Sequence, residues 1–193
     1  MTKEIDARGL ACPQPVILTR KALAVHDEVV VIVDNTMALE NVKRMASSQG
    51  CNVTEEHKKE EIYVHIKRGD GCHPFEGEVF SDGPVVIVIS GNTMGRGDDE
   101  LGYVLIKSFI HTLLEASPTP DIMIFLNTGV KLVVSGSEVI DDLKELVQKG
   151  SKILVCGTCL GFFEIKNQLA VGQVSNMYDI TETMLAAARL VQI

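Results

Sequence analysis

Tryptophan is absent from the 193 residues, aromatic residues make up only 5%, and no aromatic RNA-binding motif is visible. Positive charge is also scarce. The net charge is −8. Residues 1–70 carry 10 Lys/Arg against 11 Asp/Glu, and residues 71–193 carry 8 against 15. The first half is therefore near neutral and the second is acidic. A nucleic-acid partner or an anionic membrane surface is not expected, because both are polyanions. Long apolar runs are missing as well. The strongest, Val85 to Ile89, is far too short to span a bilayer. The opening residues, MTKEIDARGL, hold no apolar h-region, so no signal peptide is expected. These absences predict a soluble, cytoplasmic protein. The five cysteines are an odd number and do not resemble a disulfide framework. In a reducing compartment such cysteines are catalytic, metal-binding or simply buried. The histidines show no ligand or triad spacing, and no carboxylate pair has glycosidase spacing. His111, in "FIHTLL", reads as a packing residue, and "EEHKKEE" (55–61) as a solvated charged turn.

What is present is enough apolar content, 46%, for one large or two small cores. Residues 3–8 read as a short strand, and a helix runs from Cys12-Pro13 to about Ala24, proline being suited to a first helical turn. "EVVVIVD" (28–34) is a strand. Asp34, Asn35 and Thr36 offer capping oxygens for a second helix, which ends at Gly50. Residues 51–57 and 61–68 read as a hairpin, with Ile62, Val64 and Ile66 alternating with polar neighbours. The region 1–68 is thus β-α-β-α-β-β, a two-layer sandwich. "GDGCHPFEGEVFSDG" (69–83) holds five glycines or prolines and reads as a linker. From 84 to 193, strands at 84–90, 121–127 and 152–156 alternate with helices over about 99–116 and 137–149 and from about Thr158. Val130 to Val134 reads as a short extended piece, Val174 to Met177 as a further strand, and 179–190 as a last helix. This alternation predicts an α/β, mostly parallel sheet with helices on both faces.

Three stretches carry candidate chemistry. In "DARGLACPQP", Cys12 stands at a helix start with no partner cysteine. Free N–H groups and the helix dipole there lower a thiol pKa, and Arg8, Arg20 and Lys21 would add positive potential. Pro13 and Pro15 would stiffen its mount. A buried structural thiol is the competing reading. In "VCGTCLGF", Cys156 and Cys159 form a C-x-x-C after a buried strand, flanking Gly157 and Thr158, where ligand groups of open α/β sheets collect. Zinc, a thioredoxin-like dithiol, and a persulfide-handling or resolving pair all compete there. Zinc needs two more ligands, and Cys72-His73 is an unusual source of them, so no metal is assigned. The third stretch, "SGNTMGRGDDELG" (90–102), has neither a P-loop lysine nor G-x-G-x-x-G, and its acidic helix start would repel an anion. It reads instead as a wall of the Cys156 site, with Asn92, Thr93 and Arg96 available to a persulfide or a partner. No cofactor is assigned. Cys51 reads as core, and Cys72 as a linker bystander or shuttle thiol.

The stretch from Asp6 to Leu23, with Asp6, Gly9, Cys12, Pro13 and Pro15 in place, resembles the TusA/SirA-like family over about residues 3–68. That resemblance implies that Cys12 carries sulfur as a persulfide, on a loop shaped by Pro13 and Pro15. Residues 84–193 resemble DsrE-like domains. By position this matches Cys156 to the reactive cysteine of that family and makes Cys159 an extra thiol, and it suggests a homo-oligomer through this domain. The tandem arrangement resembles the YedF-type proteins associated with selenium metabolism, and "VSNMYDI" (174–180) is similar to that group. The implied function is a persulfide or selenopersulfide carrier. It would be sulfurtransferase-like at most, fed by a protein donor such as a cysteine desulfurase and discharged to a protein acceptor. A dithiol–disulfide oxidoreductase using Cys156 and Cys159, and a regulatory module without chemistry, are the alternatives.

Overall fold

Valine and isoleucine at every second position make the first sheet. The structure is a computed structural model that describes residues 2–11, 13–58, 61–69 and 83–193. It divides into two compact units, Met1–Gly77 and Glu78–Ile193.

In the first unit the elements are β1 (Lys3–Asp6), α1 (Gln14–Leu23), β2 (Glu28–Val33), α2 (Thr36–Ser48), β3 (Asn52–Lys58) and β4 (Glu61–Lys67). The sheet order is β1-β2-β4-β3, with β1 parallel to β2 and the other pairs antiparallel. Val29, Val31 and Val33 of β2 face Ile62, Val64 and Ile66 of β4 across the register, and all six are buried. Ala22 and Leu23 of α1 and Leu39, Val42 and Ala46 of α2 complete this core, so both helices cover one face. Full burial of a side chain such as Val42 is worth about 1.5–3 kcal/mol. The Asn35 side chain caps α2, accepting from Ala38 N at 2.8 Å. Cys51 is buried in this core.

The second unit runs β5 (Val85–Ile89), α3 (Asp99–Leu113), β6 (Ile122–Phe125), a 3-10 helix (Asn127–Val133), α4 (Ile140–Gln148), β7 (Lys152–Cys156), α5 (Gly157–Phe162), a 3-10 turn (Lys166–Gln168), β8 (Gln173–Ser175), α6 (Met177–Leu185) and β9 (Arg189–Gln192). The strand order is β8-β7-β6-β5-β9, all parallel. Both faces are covered, which is why the strands read as unbroken apolar runs. Ile87, Ile89, Met123, Phe125, Ile153 and Val155 face α3, α4 and the 3-10 helix. Val86, Val88, Ile124, Leu154 and Cys156 face Ile180 of α6.

Two expectations are corrected here. Val130 to Val134 is not extended. Val130, Leu132 and Val133 instead belong to the 3-10 helix, whose turns bury all three. The last helix stops at Leu185, and Arg189–Gln192 form a ninth strand on the free edge of β5. Ala188 and Arg189 N–H groups donate to Pro84 O, and Ile193 N donates to Val88 O, so the unmet carbonyls of β5 win over the helix propensity of the alanine run. Cys12, Cys72 and most of the 69–83 stretch lie outside the described residues.

Candidate functional site

The two thiol regions belong to separate units, and each is built from its own elements. In the first unit the loop between β1 and α1 carries the motif. Gly9 takes φ +71° and its N–H donates to Asp34 Oδ2 at 2.7 Å, which pins the loop to the end of β2. Glycine meets that left-handed conformation without strain. The Asp34 carboxyl is held below its ordinary value by Asn35 and then by the Gly9 N–H. Arg8 donates to both oxygens of Asp6 and also meets Glu61. This guanidinium holds the Asp6 carboxyl down at about 2.

Pro13 is the N-cap of α1 and Pro15 its second residue, half-buried and buried respectively. The Thr19 hydroxyl, fully buried, donates to Pro15 O at 2.6 Å and locks the first turn. Three parts of the electrostatic reading are corrected. Pro13 and Pro15 have no N–H, Gln14 N donates to Ala11 O, and Val16 N donates to Pro13 O. The first turn from Pro13 to Val16 therefore offers no free donor to a thiolate, and the helix dipole alone remains. Arg20 and Lys21 lie in the last turn of α1, about 10 Å along the axis from its start. Arg8 is committed to two carboxylates. Cys12 itself lies outside the described residues.

In the second unit the carboxyl ends of β5, β6 and β7 converge. Cys156 ends β7 and is the N-cap of α5, with 1% of its surface exposed. Cys159 lies one turn on, half-exposed, and both thiols are free. Gly157 packs closely between them: a Cβ there would stand 3.0 Å from Val174 Cγ1 and 3.3 Å from Ser175 O. Thr158 is exposed.

Three residues outside any recognised motif support the pair. Asn127 takes φ +46° at the end of β6, and its N–H donates to Cys159 Sγ at 3.2 Å. The Thr128 hydroxyl accepts from Asn92 N at 3.2 Å. Gly129 packs so tightly that a Cβ would stand 2.3 Å from Ile89 O and 3.4 Å from Gly91 N. The "LNTG" run after a buried strand, polar and small, is the signal that marks this turn.

Burial pushes the Cys159 thiol up, the Cys156 thiol hydrogen-bonded to it adds to this, and the Asn127 N–H partly offsets both. A C-x-x-C pair can depress one thiol's pKa, but at Cys159 the shift is upward. Asn92 uses its N–H on Thr128, and Thr93 lies against Gly102 of α3, where a Cβ would meet its Cβ at 2.8 Å. Thr93 thus packs on the helix. Arg96 is exposed, with no partner among the described residues. His111 pairs with Asp142 at 3.1 Å across α3 and α4. Among the described residues, no group of three or more His, Cys, Asp or Glu is placed to hold a metal ion. No helix there is long and apolar enough to cross a membrane.

Comparison with known proteins separates the same two segments. Residues 3–68 match the model of sulfurtransferase TusA, and residues 85–193 match the DsrE/DsrF-like family. The "Putative sulfur carrier protein MJ0990" of Methanocaldococcus jannaschii is 39% identical over 70 residues, which are 34% of this chain and 93% of that protein. Three solved structures are also similar. The SirA-like protein of Desulfitobacterium hafniense is 37% identical over 36% of this chain and 100% of its own, with a TM-score of 0.33. The ychN protein of E. coli is 13% identical over 57% and 99%, with a TM-score of 0.46. A protein of unknown function from Methanobacterium thermoautotrophicum is 20% identical over 58% and 100%, with a TM-score of 0.44. The chain therefore belongs to the TusA family over residues 3–68 and to the DsrE/DsrF-like family over residues 85–193, a TusA–DsrE fusion with a role in sulfur relay.

Proposed function

We propose that this protein is a cysteine persulfide carrier. Cys12 accepts sulfane sulfur from a protein donor of the cysteine desulfurase type and passes it on, with the Cys156–Cys159 pair as second acceptor. The step is thiolate attack on a donor persulfide with transfer of the terminal sulfur. One observation carries the reading. A single chain joins a TusA-matched segment, holding Cys12 before the proline-stiffened start of α1, to a DsrE-matched segment whose free Cys156, ending β7, meets the free Cys159 of α5. Family resemblance points to Cys156 as the acceptor of the second domain, whereas exposure favours Cys159 as the thiol a donor reaches first.

The same chemistry serves selenium, and a selenopersulfide is part of the proposal through the resemblance to the selenium-associated group. The relay would run in the cytoplasm, where thiols stay reduced, and residues 69–83 would tether the two thiol regions at high effective concentration. Self-association through residues 84–193 belongs to the same reading. Phe162, Tyr178 and Leu185 leave 81%, 70% and 82% of their surfaces exposed there.

The test is persulfide trapping followed by peptide mass spectrometry, with each cysteine replaced by serine in turn. Sulfur found on Cys12, lost in Cys12→Ser and retained in the other variants supports the carrier. Sulfur uptake unchanged in Cys12→Ser overturns it. The contact between Cys156 and Cys159 favours a second reading, a dithiol–disulfide oxidoreductase. A redox titration that finds no reversible disulfide between them removes it.

A further inference from the structure

In the Cys156–Cys159 pair one thiol is buried and the other half-exposed, one helical turn apart and close enough to hydrogen-bond. Cys156 is packed among Val86, Val88, Ile124, Leu154 and Ile180, so an external disulfide or persulfide cannot reach it without disturbing this core. Cys159 is the sulfur open to an incoming donor, and its Sγ is held by the Asn127 N–H at 3.2 Å. A persulfide formed on Cys159 would place its inner sulfur, still Sγ, directly beside the Cys156 thiol. The outer sulfur would have an open side through which to leave.

We propose that the Cys156–Cys159 pair is a discharge site that converts sulfane sulfur delivered to Cys159 into free hydrosulfide, closing a disulfide in the same step. The inference rests on the carrier reading, which supplies the sulfur. The Cys156 sulfur attacks Cys159 Sγ. A Cys156–Cys159 bond forms, and the bond between Cys159 Sγ and the outer sulfur breaks. The electron pair of that bond leaves with the outer sulfur, which takes the Cys156 proton and departs as hydrogen sulfide or its anion. The thiol pair loses two electrons and the sulfane sulfur gains them. Hydrosulfide is a weaker base than a cysteine thiolate and therefore the better leaving group. The Asn127 N–H draws electron density from the sulfur under attack. A further turnover requires an external thiol reductant to reopen the disulfide. A selenopersulfide would discharge selenide by the same route.

The test uses the full chain, freshly reduced and desalted, and loaded with glutathione persulfide as the sulfane sulfur source. Hydrosulfide is measured without added thiol, and the cysteine peptides are mapped by mass spectrometry. The wild type should release about one hydrosulfide per chain in excess of the Cys159→Ser variant, and stop with a Cys156–Cys159 disulfide until dithiothreitol is added. Cys156→Ala should keep the extra sulfur on Cys159 and lose the burst, and Cys159→Ser should lose it without disturbing the core. The half-exposed Cys159 variant keeps the test decisive if Cys156→Ala misfolds. The proposal is overturned if the burst is the same in Cys159→Ser, or if the wild type holds a stable persulfide on Cys159 beside a reduced Cys156. The carrier reading fails separately, when no extra sulfur appears on Cys12 in the wild type. If no cysteine of any variant takes up sulfur, both fall.

Discussion

Gly129→Ala tests whether backbone packing sets the state of the Cys159 thiol. The new Cβ would stand 2.3 Å from Ile89 O and 3.1 Å from Ile89 C. Ordinary contact lies at about 3.5 Å, so the turn must retreat by about an ångström. That retreat strains the bond from Leu126 N to Ile89 O, now 3.0 Å, and the bond from Asn127 N to Cys159 Sγ. Overpacking costs about 1–3 kcal/mol and each of the two weakened hydrogen bonds about 1 kcal/mol, so the variant should lose roughly 3–5 kcal/mol. That is a large part of the total stability expected of a domain this size. The Asn127 N–H is the contact that holds the Cys159 thiol down against burial and Cys156. Its loss pushes the thiol further up, leaving less thiolate at any given pH. Denaturant melts measure the first effect. Iodoacetamide labelling of Cys159 against pH, read by peptide mass spectrometry, measures the second, and the profile should move to higher pH. A destabilised variant with an unmoved labelling profile would refute the proposed coupling between the turn and the thiol.

Three further predictions follow from the same geometry. Gly161 sits in α5 with no atom within 4 Å of a built Cβ and no positive φ, so Gly161→Ala should stabilise by about 0.5–1 kcal/mol, and a loss of stability would contradict the packing described. Asp6, with its carboxyl at about 2 beside Arg8, contributes stability that is present above its unfolded value of 3.8 and lost as pH falls toward 2. Asp6→Asn should therefore flatten the acid limb between those values, and an Asp6 carboxyl titrating near 4 by NMR would contradict the ion pair. Leu185→Asp should shift the sedimentation of the wild type toward the monomer, and a monomeric wild type would end the self-association proposal.

The strands of the second unit were legible because burial on both faces leaves nothing but apolar residues in Val85 to Ile89 and in residues 153–156. The Asn35 cap and the alternation of β4 were legible for equally local reasons. β9 was not, because Ala186, Ala187 and Ala188 favour helix and only the unmet edge of β5 decides the matter. The 3-10 helix was missed because Val130, Leu132 and Val133 suit a strand by composition, while Gly129 must lie against Ile89 to turn the chain. At the candidate site the C-x-x-C was visible from residue types, but its strongest support is not. The Asn127 N–H is a backbone donor, and no side-chain motif records it. Arg20 and Lys21 follow Cys12 closely in the sequence, but the ten-residue α1 carries them to its last turn.

The measurement closest to the central claim is single-turnover charging of the full chain by a cysteine desulfurase with radiolabelled cysteine. The carrier account predicts one labelled sulfur arriving first on Cys12, and no charging of any site at the wild-type rate in Cys12→Ser. Label that reaches Cys159 or Cys156 equally fast in that variant would contradict it.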